Sequence, residues 1–302
     1  MNYVYKCLWK STGQEPNSVL VRIYGKTTSL INNLLVLNIL AERNLGTKCY
    51  GYNEEGRIEE LYTCVPVERS QQQSGVYFEL IANKLAEIHT QDMLLSKAPT
   101  FLFDFALPAG ISEDAVMKIN SFDFKQNLRE IIRATADLKS EVVFSHNGLT
   151  KEDVLQLTEE LDLQLPSLKL VDFEYSAYNY RAYDLSMLFI ECCIEYRNKD
   201  TRPYFDFNSE DYFAPEIRKQ ICKAYLIARS NTGVPTDGEV NRLFHETEIC
   251  ELAVHLVWTI WGVDQHIRRE TIPFGYLEYA VAHLEEYTKK MKDLKNRGLI
   301  KS

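Results

Sequence analysis

One carboxylate in the middle of the sequence, Asp172, has the setting for metal-assisted chemistry. Asp172 follows the apolar run Leu168-Lys169-Leu170-Val171 and falls near the end of a strand expected over residues 168–173. A carboxylate in such a place is expensive unless it is paired with a cation or binds one. Mg²⁺ takes one or two such groups, with phosphate oxygens and water completing its shell. A structural salt bridge is the competing reading. A second β-branched run, residues 142–144, delivers Ser145-His146-Asn147-Gly148 at its C-terminal end. Two strand ends of this kind can hold a general base and a metal ligand close together, as phosphoryl transfer requires.

Other side chains could serve such a site. Arg22 interrupts the run Val19-Leu20-Val21-Arg22-Ile23, which is costly unless its charge finds an anion. A place on the solvated face of the strand is the alternative. Trp258 and Trp261 lie three apart and share a helix face. An aromatic stripe at that spacing is usually core packing, but joined to a carboxylate it can hold an ammonium ion by cation–π attraction. His146 has no metal-spaced partners and reads as a brace for its own loop, so no zinc site is expected. Asp184 reads as structural, bracing that loop or capping a helix that starts at Leu185.

The elements that position these groups follow from periodicity. Residues 2–8 and 18–24 read as strands, with Gly13 and Pro16 in the connection. Leu30, Leu34, Leu37 and Ala41 recur at helical spacing, as do Phe78, Ile81, Leu85 and Ile88, and then Phe124, Leu128, Ile131 and Leu138. The polar stretch 70–74 is a candidate boundary. Leu185, Leu188, Phe189, Cys192 and Tyr196 form one helical face with Glu191 beside it. Residues 198–213 read as a loop, and helices are expected over 215–229, 239–265 and 274–290.

Composition narrows the classes. The 302 residues are 45% hydrophobic and 25% charged, as in ordinary globular proteins, and the net charge of −9 disfavours nucleic acid or an anionic membrane as partner. Seven cysteines form no Cys-x-x-Cys pair, and Cys192-Cys193 fall in an apolar helix, which fits buried thiols in a reducing cytoplasm. Residues 1–8 are too short and polar a stretch for a secretory signal. The most apolar run, 252–263, falls short of the ~20 residues that span a bilayer and is interrupted by His255, so no transmembrane segment is expected.

The run from Asp172-Phe173-Glu174-Tyr175 to Arg181-Ala182-Tyr183-Asp184 closely resembles the choline/ethanolamine kinase family. The likeness extends over nearly the whole chain. It implies an α+β, protein-kinase-like fold in two lobes. A small strand-rich N-terminal lobe would span residues 1–68 and a larger helical C-terminal lobe residues 69–302, with a cleft between them. By the same resemblance Asp172 is a magnesium ligand, and Asp153 stands where the family has an Asn that also serves the metal. Arg22 matches the strand residue that reaches the ATP phosphates. Tyr175, Glu191, Tyr196, Trp258, Trp261, Phe274 and Tyr279 match the amine-binding box. The implied reaction is ATP-dependent phosphorylation of choline or ethanolamine for phospholipid biosynthesis, with Mg²⁺ as cofactor. The family also makes a homodimer or heterodimer thinkable.

Three departures accompany the likeness. The family reads His-Asn-Asp where this chain reads His146-Asn147-Gly148, and glycine cannot take the substrate hydroxyl proton. Losing a positioned base costs on the order of 10²–10⁴-fold in rate. The glycine- and serine-rich phosphate turn that precedes the family's first strand is not matched before Met1-Asn2-Tyr3. Asn33 aligns with the helix carboxylate expected to pair with the basic strand residue. The resemblance therefore implies a kinase homologue with weak or no catalysis. The alternatives are an active kinase with a relocated base, for which Asn147, Glu152 and Glu174 are near in sequence, or a non-catalytic partner of an active homologue.

Overall fold

The computed structural model describes residues 3–8, 16–25, 30–65, 67, 71, 74–101, 119, 121–158, 167–196, 201–230, 233–268 and 273–300. Gly13, most of the stretch 70–74 and the expected boundary at 68–69 lie outside them.

The N-terminal part is an antiparallel sheet in the order β1-β2-β4-β3, formed by β1 (Tyr3–Leu8), β2 (Ser18–Ile23), β3 (Cys49–Tyr52) and β4 (Gly56–Glu60). The register pairs Arg22 with Arg57 and Leu20 with Glu59. Because strand side chains alternate, Arg22, Arg57 and Glu59 share one face. Helix α1 (Leu30–Glu42) packs against β3 and against the 3-10 turn Phe173–Tyr175, which ties the sheet to the centre of the chain.

The remainder is mostly helical: α2 (Gly75–His89), α3 (Phe124–Asp137), α4 (Arg181–Glu191), α5 (Pro215–Arg229), α6 (Asp237–Arg268) and α7 (Tyr276–Asn296). Phe78, Ile81, Leu85 and Ile88 are all buried along α2, as their spacing predicts. Pro215 opens α5, where a missing N–H costs nothing. α6 starts on a Thr236–Glu239 capping box and is buried on all sides from Glu246 to Ile260, because α3, α4, α5 and α7 pack on it. Gly262 permits the α6–α7 approach: a Cβ there would meet the Tyr276 carbonyl oxygen at 2.7 Å. No described helix is long and apolar enough to cross a membrane.

Several local expectations are corrected. The strand expected over 168–173 is β8 (Leu168–Leu170), and Asp172 stands beyond it in a left-handed turn, φ 64°. β6 (Val142–Ser145) does not pair with β8. It pairs with β9 (Ala177–Tyr180), while β8 joins β7 (Val154–Leu157) and β5 (Cys64–Val65). The stretch 198–213 is not all loop: β10 (Ile194–Tyr196) pairs with β11 (Phe205–Phe207). A three-residue strand has too little sequence to show alternation, and its pairing is non-local. The last helix starts at Tyr276, leaving Phe274 just ahead of it, and runs on to Asn296.

Candidate active site

The two strand ends meet although they belong to different sheets. His146 Nε2 donates to the Val171 carbonyl at 2.9 Å and so fastens the end of β6 to the segment leading into Asp172. Burial lowers the His146 pKa, and Nδ1 has no hydrogen-bond partner among the described residues. Asp184 supplies the rest of the brace. One of its oxygens accepts from His89 Nε2 at 2.9 Å and the His146 N–H at 2.7 Å, and the other from the Asn147 N–H at 2.8 Å. Burial works to raise the Asp184 pKa, but the His89 bond, nearby histidine charge and the Asn147 N–H outweigh it and hold the carboxyl below its usual range. The bracing role expected of Asp184 is therefore the one its contacts support. It does not cap the helix, because α4 begins at Arg181.

Asn147 adopts φ 65°, a left-handed conformation that Asn tolerates better than most residues. Its amide nitrogen donates to the Tyr175 and Ala177 carbonyls, and its Oδ1 accepts from Asn179. With every polar atom of its side chain engaged, it offers no free base.

Gly148 comes next, and its missing side chain has been replaced in space. A Cβ built at Gly148 would lie 2.8 Å from Cδ2 of the Tyr175 ring and 3.4 Å from Cγ. That ring is pinned: its hydroxyl accepts from Trp261 Nε1 at 2.9 Å, and it meets Trp258 edge-on at 5.9 Å. Gly148→Ala is expected to lower stability by about 1–3 kcal/mol through overpacking. A urea unfolding midpoint equal to that of the unmodified protein would show that the ring yields freely.

Asp153 and Asp172 are brought together. Asp153 Oδ2 accepts from the Thr150 N–H and hydroxyl, at 2.8 and 2.6 Å. Burial and the charge of Asp172 push the Asp153 carboxyl well above its ordinary range. Asp172 Oδ2 pairs with Arg22 Nη1 at 3.0 Å, while Oδ1 is buried without a hydrogen-bond partner among the described residues. Two mutually repelling carboxylates with an unpartnered oxygen form a donor set that suits Mg²⁺ completed by phosphate and water. No group of three or more such ligands occurs among the described residues.

Arg22 is buried, and its anion is found 150 residues away. Its Nε also lies 3.5 Å from Glu59 Oε1, which accepts from Arg57 Nε. Burial works to lower the Arg22 pKa, but the charges of Asp172 and Glu59 raise it further. The carboxylates beside Arg22 thus come from β4 and from the turn at Asp172, whereas Asn33 was expected in that place. Glu59 and Arg57 were missed, although their alternation along β4 was a usable signal.

The amine-box residues also come together. Trp258 and Trp261 meet at 5.2 Å between centroids, Trp261 and Tyr279 at 6.0 Å, and Phe274 and Tyr279 at 5.5 Å. Tyr276, which sequence reading passed over, joins them at 5.7 Å from Trp261. Glu191 is buried. Its Oε1 accepts from the Tyr196 hydroxyl at 3.0 Å and its Oε2 from the Lys151 N–H at 3.1 Å. Burial pushes this carboxyl up to about 7, with those two bonds opposing the shift. The Lys151 charge opposes it as well, but this carboxylate forms no ion pair among the described residues, and a buried carboxylate is costly without one.

The sequence matches the family model for choline/ethanolamine kinase over residues 1–288. It is 33% identical to a human choline/ethanolamine kinase over 297 residues, covering 92% of this chain and 73% of that protein. The structure is similar to a choline kinase from Cryptosporidium parvum, with a TM-score of 0.76 and 23% identity over 98% of this chain and 91% of the other. An ethanolamine kinase from Plasmodium vivax gives a TM-score of 0.74 and 19% identity, with coverage of 95% and 79%. These likenesses give the fold, which is protein-kinase-like. The agreement in sequence over nearly the full length goes further: the chain belongs to the choline/ethanolamine kinase family.

Proposed function

We propose that this chain binds choline or ethanolamine in the aromatic cage around Glu191 and transfers phosphate from ATP to it slowly or not at all. One observation carries the second half of the reading. At Gly148, where the family's base is expected, a half-buried aromatic ring fills the space that a side chain would need. Neither Asn147, fully engaged by Tyr175, Ala177 and Asn179, nor Asp153, held by Thr150, is free to replace that base.

The remaining parts support retained binding. Asp153 and Asp172 would hold Mg²⁺, which when bound would neutralise phosphate charge. Arg22 would exchange its pairing with Asp172 for a nucleotide phosphate. Glu191 would compensate the ammonium while Trp258, Trp261 and Tyr279 offer their faces to it. The two lobes expected over residues 1–68 and 69–302 would close on these groups.

The test is phosphate transfer from MgATP to choline and to ethanolamine, measured beside a family member that carries Asp at the position of Gly148. The expected rate is lower by about 10²–10⁴-fold. Turnover equal to that of the comparison enzyme would establish a relocated base and remove the proposal of impaired catalysis.

A further inference from the structure

Choline has two ends, a trimethylammonium group and a hydroxyl two carbons away. A working kinase must hold both, the second with a hydrogen-bonding group beside the reacting oxygen. In this chain the ammonium end has its charge and its aromatic walls, but the hydroxyl end meets something else. The backbone at Gly148 faces the Tyr175 ring, with Cδ2 at 2.8 Å from a Cβ position. The Tyr175 hydroxyl is held by Trp261 Nε1. The Asn147 side chain is saturated by Tyr175, Ala177 and Asn179. Asp153 Oδ2 faces Thr150 and Asp172 Oδ2 faces Arg22, while Asp172 Oδ1, unpartnered among the described residues, belongs to the metal side of the site rather than to the ring edge at Gly148.

We infer that the cage recognises a quaternary ammonium ion without recognising its hydroxyl, so that hydroxyl-free trimethylammonium ions are ligands as good as choline. This rests on the amine-cage reading above and sharpens it. A site built to hydrogen-bond a substrate hydroxyl rejects the analogue lacking it by about 10⁴–10⁵-fold, because the site's own polar groups are left unpaired. Here the ring edge at Gly148 has no such group to strand. A hydroxyl pressed against that ring loses water without compensation, which favours the hydroxyl-free ion if it favours either. Gly148 and Tyr175 therefore act as a pair: the glycine makes room, and the ring converts a catalytic position into a wall.

The experiment is calorimetric titration of the unmodified protein with choline, with ethyltrimethylammonium, which is choline with hydrogen in place of the hydroxyl, and with 3,3-dimethylbutan-1-ol, which keeps the hydroxyl and loses the charge. The expected result is that the two cations bind within about threefold of each other, or the hydroxyl-free ion more tightly, and the neutral alcohol at least about 100-fold more weakly. A preference for choline above about tenfold overturns this inference while leaving the cage intact. Failure of both cations to bind overturns the cage reading and this inference with it.

Discussion

Glu191→Gln is expected to weaken choline binding on the order of 10²-fold while leaving the free protein as stable as before or slightly more so. The carboxylate is buried at the end of α4 and, among the described residues, accepts two hydrogen bonds, from Tyr196 and the Lys151 N–H. Truncating one partner of a buried, hydrogen-bonded charge pair costs about 2–5 kcal/mol, so a complex that depends on Glu191 loses most of its affinity. In the free protein the same charge forms no ion pair among the described residues, and neutralising it relieves a desolvation penalty that the Lys151 charge only partly offsets. Opposite signs for binding and stability separate a ligand-binding carboxylate from a structural one. Unchanged affinity in the variant would remove Glu191 from the site.

The pH dependence gives an independent check. The Glu191 pKa is about 7 in the folded chain, above the ordinary 4.5, with burial as the main cause. A raised carboxyl contributes stability that is fully present below 4.5 and is lost as pH rises through about 7. Cation binding runs the other way, because protons compete for the same carboxylate. Choline affinity should therefore rise by up to about tenfold per pH unit below 7 and level off above it. The glutamine variant should show a flat profile over the same range.

What the sequence made legible was mostly local. Phe78, Ile81, Leu85 and Ile88 fall on one buried face because their spacing dictates it, and Trp258 and Trp261 meet for the same reason. Arg22 needs an anion because it is itself buried, in a strand of apolar neighbours. Which anion it finds depends on how the sheet docks onto the turn at Asp172, and nothing within the strand encodes that. His89 was invisible for a related reason: one histidine on the apolar face of α2 looks like core until Asp184 is placed against it. The largest omission concerns Gly148. The sequence displays a lost side chain, but only side-chain directions in space show that the Tyr175 ring occupies its room. A single reversion to Asp is therefore expected to displace that ring before it can restore a base.

Asp184→Ala should produce the largest loss of stability, about 3–5 kcal/mol by urea unfolding at pH 7. Its carboxylate is fully buried and satisfies three donors at once: His89 Nε2 and the backbone N–H groups of His146 and Asn147. Alanine leaves all three buried without a partner, and water has little room to replace it. The damage should not stay local. His146 holds Val171 beside Asp172, and Asn147 holds the carbonyl of Tyr175, so the brace orients both the metal side and the amine side of the site. Because neighbouring donors hold this carboxyl below its ordinary 3.8, its contribution is present above that pH and fades as the pH falls further. The gap between the unmodified protein and the variant should accordingly be constant near neutrality and narrow below 3.8. A loss smaller than about 1 kcal/mol at pH 7 would mean that the loop is held by Asn147 and Asn179 alone, and that Asp184 could be spared without disturbing either end of the site.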